Sequence, residues 1–217
     1  MTVDHPLGIK LFKGIDVSYF QGVIDWDTVK PNIDFAMIRA GYGWNTIDNK
    51  ATRNIAECER LNIPFGLYWF GYPLSAEMAA NEARKLVQFI GNHKIPYPIM
   101  YDWEYASESY AAQNGVKPTR TFVLDCTRAF CETMEKHGFY CGFYTNNDLY
   151  LKYYQSSDVT KNYDMWFARY ANAPGRKCGM WQTTDKGYVP GIRGTVDMDI
   201  AYHNYPVIMD KNDLNNF

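Results

Sequence analysis

Short apolar runs bounded by glycine, proline and asparagine recur along the chain and alternate, in its first two thirds, with longer segments of helical periodicity. Runs of this kind indicate buried strands, and their alternation with helices is typical of repeated βα units. The pattern predicts eight strands, which read GIDVS (14–18), DFAMIRA (34–40), FGLYWFG (65–71), PIMYDWE (98–104), YCGFYTN (140–146), DMWFARY (164–170), CGMWQTT (178–184) and TVDMDIAY (195–202).

Three of the intervening segments are predicted to be helices. One begins after a Ser75 cap and ends at Gly91, a second begins near Pro118 and ends at Gly138, and a third, less regular one ends before Pro64. No long helical segment follows residue 146. Eight strands with helices concentrated in the first part predict an α/β fold, a TIM-like barrel that is irregular in its last third.

Length and charge narrow the class of protein. A chain of 217 residues with 47% apolar composition buries one substantial core, and a second full domain is not expected. A net charge of −2 provides no basic field for a phosphate backbone or an anionic membrane. No apolar run approaches the roughly 18 residues of a spanning helix. We therefore predict no nucleic-acid partner, no membrane insertion and a monomer.

The aromatic and cysteine contents add two expectations. The chain has 18 Tyr, 12 Phe and 6 Trp, and aromatic faces stack on the apolar faces of sugar rings, so the excess hints at a carbohydrate ligand. The five cysteines are an odd number at irregular spacing within apolar stretches, which favours buried reduced thiols over disulfides or a CxxC site.

Acidic residues occupy alternate positions in three of the predicted strands. Because side chains alternate across a strand, Asp102 and Glu104 share one face of PIMYDWE. Asp16 in GIDVS, and Asp197 and Asp199 in TVDMDIAY, likewise point away from their apolar neighbours. A carboxylate buried deep inside the barrel is very costly, so we expect these acids around the barrel mouth, where barrel enzymes keep their chemistry.

Other roles for these residues stay open at this point. Asp16 and Asp199 could instead cap turns or pair with Arg39, and Asp197, Asp199 and His203 together resemble a set of metal ligands. The four histidines, however, show no HExxH-type spacing, and the chain has no GxSxG elbow or glycine-rich phosphate loop. We predict no metal and no cofactor.

Several of these motifs together resemble glycoside hydrolase family 25. The opening GIDVSYFQGVIDW is similar to the family's first strand and turn, and FAMIRAGYG to its second strand. The segments FGLYWFGYP, IMYDWE, GFYTN, MWFARY, MWQTT and GTVDMDIAY follow in the family's order, so the resemblance covers roughly residues 13 to 203. It departs at Tyr19 and Phe20, where many relatives carry His before the Gln, and we expect altered groove contacts there.

The resemblance implies a fold and an activity. The fold is a modified barrel of about five βα units followed by three strands with little helix, with residues 1–12 as an N-terminal extension and 13–217 as a single catalytic domain. The activity is hydrolysis of the β-1,4 bond between N-acetylmuramic acid and N-acetylglucosamine in bacterial peptidoglycan. We expect action on the bacterial cell wall after secretion or phage release; MTVDHPLGIKLFKG lacks a signal peptide.

The family's acidic quartet falls on Asp16, Asp102, Glu104 and Asp197, with Asp199 in support. Glu104, the longer acid at the outer end of its strand, is the predicted general acid. Asp102 is predicted to hold the substrate acetamido group while its oxygen attacks the anomeric carbon. The alternative is a single displacement in which Asp197 or Asp16 activates water.

Residues near the strand ends are candidate substrate contacts. Arg39 is predicted to orient one acid by a charge-assisted hydrogen bond, and core packing remains the alternative role for each aromatic residue. The candidates are Asp199, Arg39, Tyr68, Tyr144, Trp166, Trp181 and Gln182. Two other functions stay open, a chitinase-like glycosidase on the same barrel plan and an inactive module that binds peptidoglycan.

Overall fold

A computed structural model describes residues 3–4 and 10–217, and its eight main strands close into a barrel. The predicted eight strands are confirmed, with ends that differ by a few residues. The strands are β1 Val3–Asp4, β2 Lys10–Val17, β3 Phe35–Tyr42, β4 Thr46–Ile47, β5 Phe65–Phe70, β6 Ile99–Asp102, β7 Cys141–Asn146, β8 Asp164–Ala168, β9 Met180–Gly187 and β10 Val196–Ala201. The two-residue strands β1 and β4 pair with β2 and β3 outside the barrel ring.

Strand direction makes this barrel irregular. From β2 through β3, β5, β6, β7 and β8 to β9, each neighbouring pair is parallel. β10 closes the ring antiparallel to both β9 and β2. The beginning of β10 therefore lies at the same end of the barrel as the carboxyl ends of the other strands, and Asp197 stands opposite Asp16 in the register.

The helices follow the predicted distribution. They are α1 Trp26–Val29, α2 Ala51–Leu61, α3 Ala76–Ile90, α4 Tyr105–Gln113, α5 Arg120–Lys136, α6 Asn147–Leu149, α7 Val159–Asn162 and α8 Tyr205–Lys211. The predicted helices correspond to α2, α3 and α5, and Ser75 caps α3 by accepting from the backbone N–H of Met78. After β7 the inter-strand connections hold only short helical turns, so the helix-poor last third is confirmed.

Apart from the short helices α1, α6 and α7, two helices were not predicted. α4 begins immediately after the acid pair, and its sequence YASESYAAQ contains no continuous apolar stripe that would mark a helix against a core. Helix α8 follows β10 and opens with Tyr205 and Pro206, a proline position that suits the first turn of a helix. Neither helix alters the order of the barrel strands.

Apolar side chains fill separate layers inside and outside the barrel. Alternate residues of the strands pack outward against the helices, as Tyr101 does by stacking on Phe130 of α5 at 4.4 Å between ring centroids. The interior contains Met37, Met100 and Met180, with aromatic residues above and below them. All five cysteines are buried and free, which confirms the prediction of reduced thiols.

The C-terminal segment closes the barrel at the end where the parallel strands begin. The Asn215 side chain donates to the carbonyls of Ile95 and Tyr97 at 3.0 and 2.9 Å and accepts from the backbone N–H of Tyr140 at 2.7 Å. Tyr97 also stacks on Phe35 at 4.4 Å between centroids. The opposite end, where the parallel strands finish, is left open.

Part of the proposed N-terminal extension lies outside the described residues. Residues 1–2 and 5–9 are not described, whereas Lys10 to Phe12 belong to β2 and Val3–Asp4 pairs antiparallel with that strand. The boundary at residue 13 stays a prediction. In the part of the chain that the structure describes, no helix is long and apolar enough to cross a membrane.

Candidate active site

A pocket of about 230 Å³ lies at the open end of the barrel and is lined by four of the five predicted acids, all except Asp199. Because the parallel strands all finish here and β10 begins here, polar residues from distant parts of the chain meet at one place. Its walls combine carboxylates with aromatic rings. The lining residues are Asp16, Ser18, Phe20, Gln21, Arg39, Tyr68, Phe70, Asp102, Glu104, Tyr144, Trp166, Tyr170, Gln182, Asp185 and Asp197.

Asp102 and Glu104 occupy the end of β6 and the turn that follows. Asp102 is the last residue of the strand, and Glu104 is the capping residue of α4, with its backbone N–H donating to Ser107 Oγ at 3.1 Å. The strand is therefore shorter than predicted, but both acids line the same pocket. Tyr101 and Trp103, which alternate with the two acids along the chain, are fully buried in the outer layers.

The two carboxyl groups have different surroundings. Asp102 is 5% exposed, its Oδ1 atom is buried, and its side chain makes no hydrogen bond to any described residue. Burial, and then the charge of Glu104, raise the pKa of Asp102 well above its usual range, while Arg39 lowers it. Glu104 is less enclosed; burial and the charge of Asp197 raise its pKa, and the Tyr144 hydroxyl lowers it.

Gln182 links the aromatic wall of the pocket to Asp16. Its Nε2 donates to Asp16 Oδ2 at 2.8 Å, and its Oε1 accepts from the hydroxyls of Tyr144 and Tyr170 at 3.0 and 3.1 Å. Burial, followed by the charges of Asp199 and Asp197, raises the pKa of Asp16 well above the ordinary value. A hydrogen bond between Asp16 and Asp197 also raises the pKa of Asp16 and lowers that of Asp197, which favours the proton on Asp16.

Asp197 and Asp199 share the inward face of β10 at different depths. Asp197 lines the pocket, and burial raises its pKa to about 6, against the lowering effect of a hydrogen bond from Asp16. Asp199 lies deeper, is fully buried and accepts from Trp166 Nε1 at 2.8 Å. Burial raises the pKa of Asp199 to about 8. Asp199 therefore lies beneath the pocket surface and fixes the position of the Trp166 ring.

Arg39 does not make the predicted hydrogen bond to one of these acids. Its Nε donates to Asp48 Oδ2 at 2.9 Å, and Nη2 lies 2.9 Å from the same oxygen. Asp48, nine residues later and almost fully buried, takes the partner role that was predicted for Asp16 or Asp199. Arg39 still lines the acid pocket and acts on Asp102 through space, by lowering its pKa.

The predicted aromatic contacts divide into two groups. Tyr68, Tyr144 and Trp166 line the pocket, with the tyrosine rings edge-on to Trp166 at 5.6 and 5.0 Å between centroids. Trp181 does not lie with them, because its side chain packs in the outer layer and its Nε1 donates to the carbonyl of Arg169. Its neighbour Gln182 faces the interior, and adjacent strand residues point to opposite sides.

Other lining residues were not among the predicted contacts. Phe70 and Tyr170 lie two residues beyond Tyr68 and Ala168, so strand alternation carried a signal for both. Asp185 gave no such signal, because a register irregularity between β9 and β10 breaks the alternation. Phe20 lies in the turn Tyr19–Gln21 after β2, where altered groove contacts were expected, and is 72% exposed at the pocket rim.

Comparison with known proteins places this arrangement in a family. The model of glycosyl hydrolases family 25 matches residues 15–192, which include Asp16, Asp102 and Glu104. The chain belongs to glycosyl hydrolase family 25. The resemblance seen in the sequence motifs is thereby confirmed, and the protein is a glycoside hydrolase by class.

Relatives of known structure share the barrel. The modular autolysin LytC of Streptococcus pneumoniae is 27% identical with a TM-score of 0.78, over 92% of this chain and 51% of that one. A family 25 glycosyl hydrolase of Bacillus anthracis, at 24% identity, has a TM-score of 0.75 over 99% and 98% of the two chains. YegX of Escherichia coli O6:H1 is 27% identical over 199 residues, 86% of this chain and 68% of YegX. This chain thus spans about half the length of LytC.

Within the described part of the chain, no metal-binding group accompanies the acids. Among the residues that the structure describes, no set of three or more His, Cys, Asp or Glu side chains is arranged to hold a metal ion. His203 lies at the other end of the barrel, where its ring is edge-on to Tyr205 at 5.6 Å between centroids. It does not line the acid pocket with Asp197, so these residues do not form one ligand set.

Proposed function

We propose that the protein is a muramidase that hydrolyses the β-1,4 bond between N-acetylmuramic acid and N-acetylglucosamine in bacterial peptidoglycan. The observation that carries the proposal is the unequal pair Asp102 and Glu104, which face one pocket from one strand end. Hydrolysis of a glycosidic bond needs one carboxyl group that is protonated near neutral pH and a second group that stabilises the anomeric centre.

Glu104 is the proton donor in this proposal. It stands above Asp102 at the pocket rim, and its raised pKa favours the protonated form at a higher pH than a free glutamate would allow. The Tyr144 hydroxyl lies close enough to affect that pKa. A glycosidic oxygen in the pocket would receive the proton from Glu104 as the bond to the leaving sugar breaks.

Asp102 holds the acetamido group of the sugar at the scissile bond. Its side chain has no hydrogen-bond partner among the described residues, so it is free to accept from the acetamido N–H. When Glu104 holds the proton, its charge no longer raises the pKa of Asp102, and Arg39 favours the ionised form of Asp102. The acetamido oxygen then attacks the anomeric carbon, forming a cyclic intermediate whose positive charge the Asp102 carboxylate stabilises. Water opens the intermediate as Glu104 takes back a proton, which gives a product with retained configuration.

One observation favours a second route. Asp197 lines the same pocket as Glu104 and has a pKa of about 6, so it is ionised at neutral pH and suits a general base. In a single displacement, Asp197 would activate water on the face opposite the leaving group, and the product would be inverted. Asp16 is less suited to that role, because its carboxyl group is more deeply buried and already accepts from Gln182 Nε2 at 2.8 Å.

Two structures of one relative, LytC, support peptidoglycan as the substrate. LytC is described as an autolysin, and a further structure of it holds a synthetic peptidoglycan ligand with the same TM-score of 0.78 to this chain. Because peptidoglycan forms the bacterial wall, we propose that the enzyme acts there, after secretion or release by a phage. The acid set is complete in the pocket, which favours an enzyme over an inactive binding module.

The test is digestion of purified peptidoglycan, followed by borohydride reduction and mass spectrometry of the new reducing ends. We expect reduced muramic acid; reduced glucosamine would contradict the bond assignment, and release only from chitin would indicate a chitinase-like enzyme. Proton NMR of the first product then separates the two routes. A β-anomer formed first supports acetamido participation, and an α-anomer supports single displacement through Asp197.

A further inference from the structure

Glu82 is a buried carboxyl group that lies outside the acid pocket. It belongs to α3, and its side chain is fully shielded from solvent. Its neighbours on the same helix, Ala79, Ala83 and Leu86, pack in the apolar layer between the helices and the barrel. Burial of a carboxyl group in such a layer is costly unless the group is hydrogen-bonded. The partners of Glu82 therefore show which parts of the fold it holds in place.

Both carboxyl oxygens of Glu82 bind to the ends of neighbouring strands. Oε1 accepts from the backbone N–H of Tyr72 at 2.9 Å, and Oε2 accepts from the Tyr101 hydroxyl at 3.1 Å. Tyr72 lies shortly after the end of β5, and Tyr101 lies in β6 directly before Asp102. One side chain thus connects α3 to β5 and β6 at the open end of the barrel.

The segment Phe70–Tyr72 transmits this constraint to Asp102. The backbone N–H of Gly71 donates to the Asp102 carbonyl oxygen at 2.8 Å. Gly71 also lies so close to Tyr101 that a side chain at position 71 would collide with the tyrosine hydroxyl. Asp102 is therefore held through the backbone of Gly71 and through the residue before it, and Glu82 binds on both sides of this contact.

Helix α4 contacts the same segment. The ring of Tyr72 lies edge-on to that of Tyr110, at 5.2 Å between centroids, and Tyr110 belongs to α4. Glu104 is the capping residue of that helix. A displacement of Tyr72 would therefore shift α4 relative to β6, and with it the separation of Glu104 from Asp102.

We propose that Glu82 is a positioning residue for the reaction, which fixes Asp102 against the substrate acetamido group by way of Tyr101 and Gly71. The inference rests on the proposed function. Glu82 does not line the acid pocket, so it acts through residues that do. Reacting groups have to be held close to the productive geometry, and a misplacement of about 1 Å lowers a rate by about a hundredfold.

Glutamine is the conservative replacement for Glu82. Burial raises the pKa of Glu82 to about 8, against the lowering effects of the hydrogen bonds from Tyr72 and Tyr101, so its carboxyl group is mostly protonated near neutral pH. A protonated carboxyl group has one acceptor oxygen and one O–H donor, and the glutamine amide has one acceptor oxygen and an NH₂ donor. Glutamine can therefore keep both contacts. Leucine has a similar size and can make neither.

The experiment compares kcat and KM on soluble peptidoglycan chains for wild type, Glu82→Leu, Glu82→Gln and Tyr101→Phe, below the unfolding temperature of every variant. We expect Glu82→Leu to lower kcat at least about tenfold with KM within about twofold, because Asp102 acts on charge that develops in the transition state. Glu82→Gln should retain kcat. Tyr101→Phe removes one of the two hydrogen bonds and should lower kcat by a smaller factor.

The double variant and two controls separate positioning from a loss of stability. Glu82→Leu combined with Tyr101→Phe should lower kcat by less than the product of the separate factors, since both changes remove the same hydrogen bond. Asn215→Ala weakens the opposite end of the barrel and should keep the wild-type kcat. Glu77→Gln, at the exposed side of α3 where Glu77 pairs with Arg84, should change neither kcat nor stability.

Four results would overturn the positioning role. They are a wild-type kcat in Glu82→Leu, an equal loss in Asn215→Ala, an equal loss in Glu82→Gln, and factors that multiply fully in the double variant. If Glu82→Leu does not fold, Tyr101→Phe decides, and an unchanged kcat in that variant overturns the role. All of these results leave the muramidase proposal standing, because the wild type cleaves in each. Absence of cleavage by the wild type would overturn the proposed function and this inference with it.

Discussion

Replacement of Asn215 by alanine should destabilise the fold strongly without altering the active site. Asn215 is fully buried and makes three side-chain hydrogen bonds, to Ile95, Tyr97 and Tyr140, at the closed end of the barrel. Its backbone is also left-handed, with φ of 57°. Alanine removes the hydrogen bonds, leaves buried backbone groups without partners and strains the left-handed conformation.

The magnitude follows from these contacts. Three hydrogen bonds at about 1 kcal/mol each give about 3 kcal/mol. The left-handed backbone adds about 1 kcal/mol for alanine relative to asparagine. A total of about 4 kcal/mol, at about 2–4 °C per kcal/mol for a chain of this length, lowers Tm by about 8–16 °C.

Thermal unfolding followed by circular dichroism measures this shift, with hydrolysis of peptidoglycan at room temperature as the parallel readout. Asn212→Ala is the matched control, because Asn212 is exposed and makes one side-chain hydrogen bond, to the carbonyl of Ile208. We expect its effect to stay within about 0.5 kcal/mol. If Asn215→Ala melts as the control does, the C-terminal segment does not hold the barrel closed and our reasoning is refuted.

Three further predictions concern buried charge. Asp48→Ala leaves Arg39 without its carboxylate partner and should lower the free energy of unfolding, measured in urea, by about 3–5 kcal/mol, which is more than Asp48→Asn lowers it. Equal and small losses would contradict a stabilising role for the Arg39–Asp48 ion pair. Burial raises the pKa of Glu82 to about 8, so its contribution to stability is complete below about pH 4.5 and declines as the pH rises through 8. Glu82→Gln should flatten the fall of Tm between pH 5 and about 8, and an unchanged slope would exclude Glu82 as its source. The rate of hydrolysis should fall at high pH as Glu104 loses its proton, and the midpoint of this fall should lie above the usual pKa range of glutamate. Glu108→Gln should leave the midpoint unchanged. A midpoint at the ordinary glutamate pKa would contradict the raised pKa of Glu104.

The sequence predicts the strands well because buried strands concentrate β-branched and aromatic residues between glycine and proline boundaries. It does not predict the antiparallel direction of β10, because side-chain alternation is the same in either direction. That direction is decided by tertiary closure of the ring, and it brings Asp197 to the mouth opposite Asp16. Helix α4 escaped prediction because it lacks an apolar stripe.

Within the site, the alternation of side chains along a strand correctly separated Asp102 from its apolar neighbours. It could not predict which polar side chains form hydrogen bonds with one another. The pairing of Arg39 with Asp48 depends on a turn whose path is set by packing. Trp181 and Gln182 could not both face the interior as adjacent strand residues, and the structure turns Trp181 outward. Which side of a strand faces the interior can be predicted from the sequence, whereas the hydrogen-bond network around Asp16 requires three-dimensional structure.

The central claim is that Glu104 donates the proton that breaks a glycosidic bond in peptidoglycan. Glu104→Gln keeps the size of the side chain and removes its acid function, and Glu108→Gln on the same helix is the matched control, since Glu108 pairs with Lys152 away from the pocket. The decisive measurement is the rate at which muramic-acid reducing ends appear during digestion. We predict a loss of at least about a hundredfold for Glu104→Gln and wild-type rates for Glu108→Gln. A Glu104→Gln variant that releases muramic-acid ends at the wild-type rate would contradict the account.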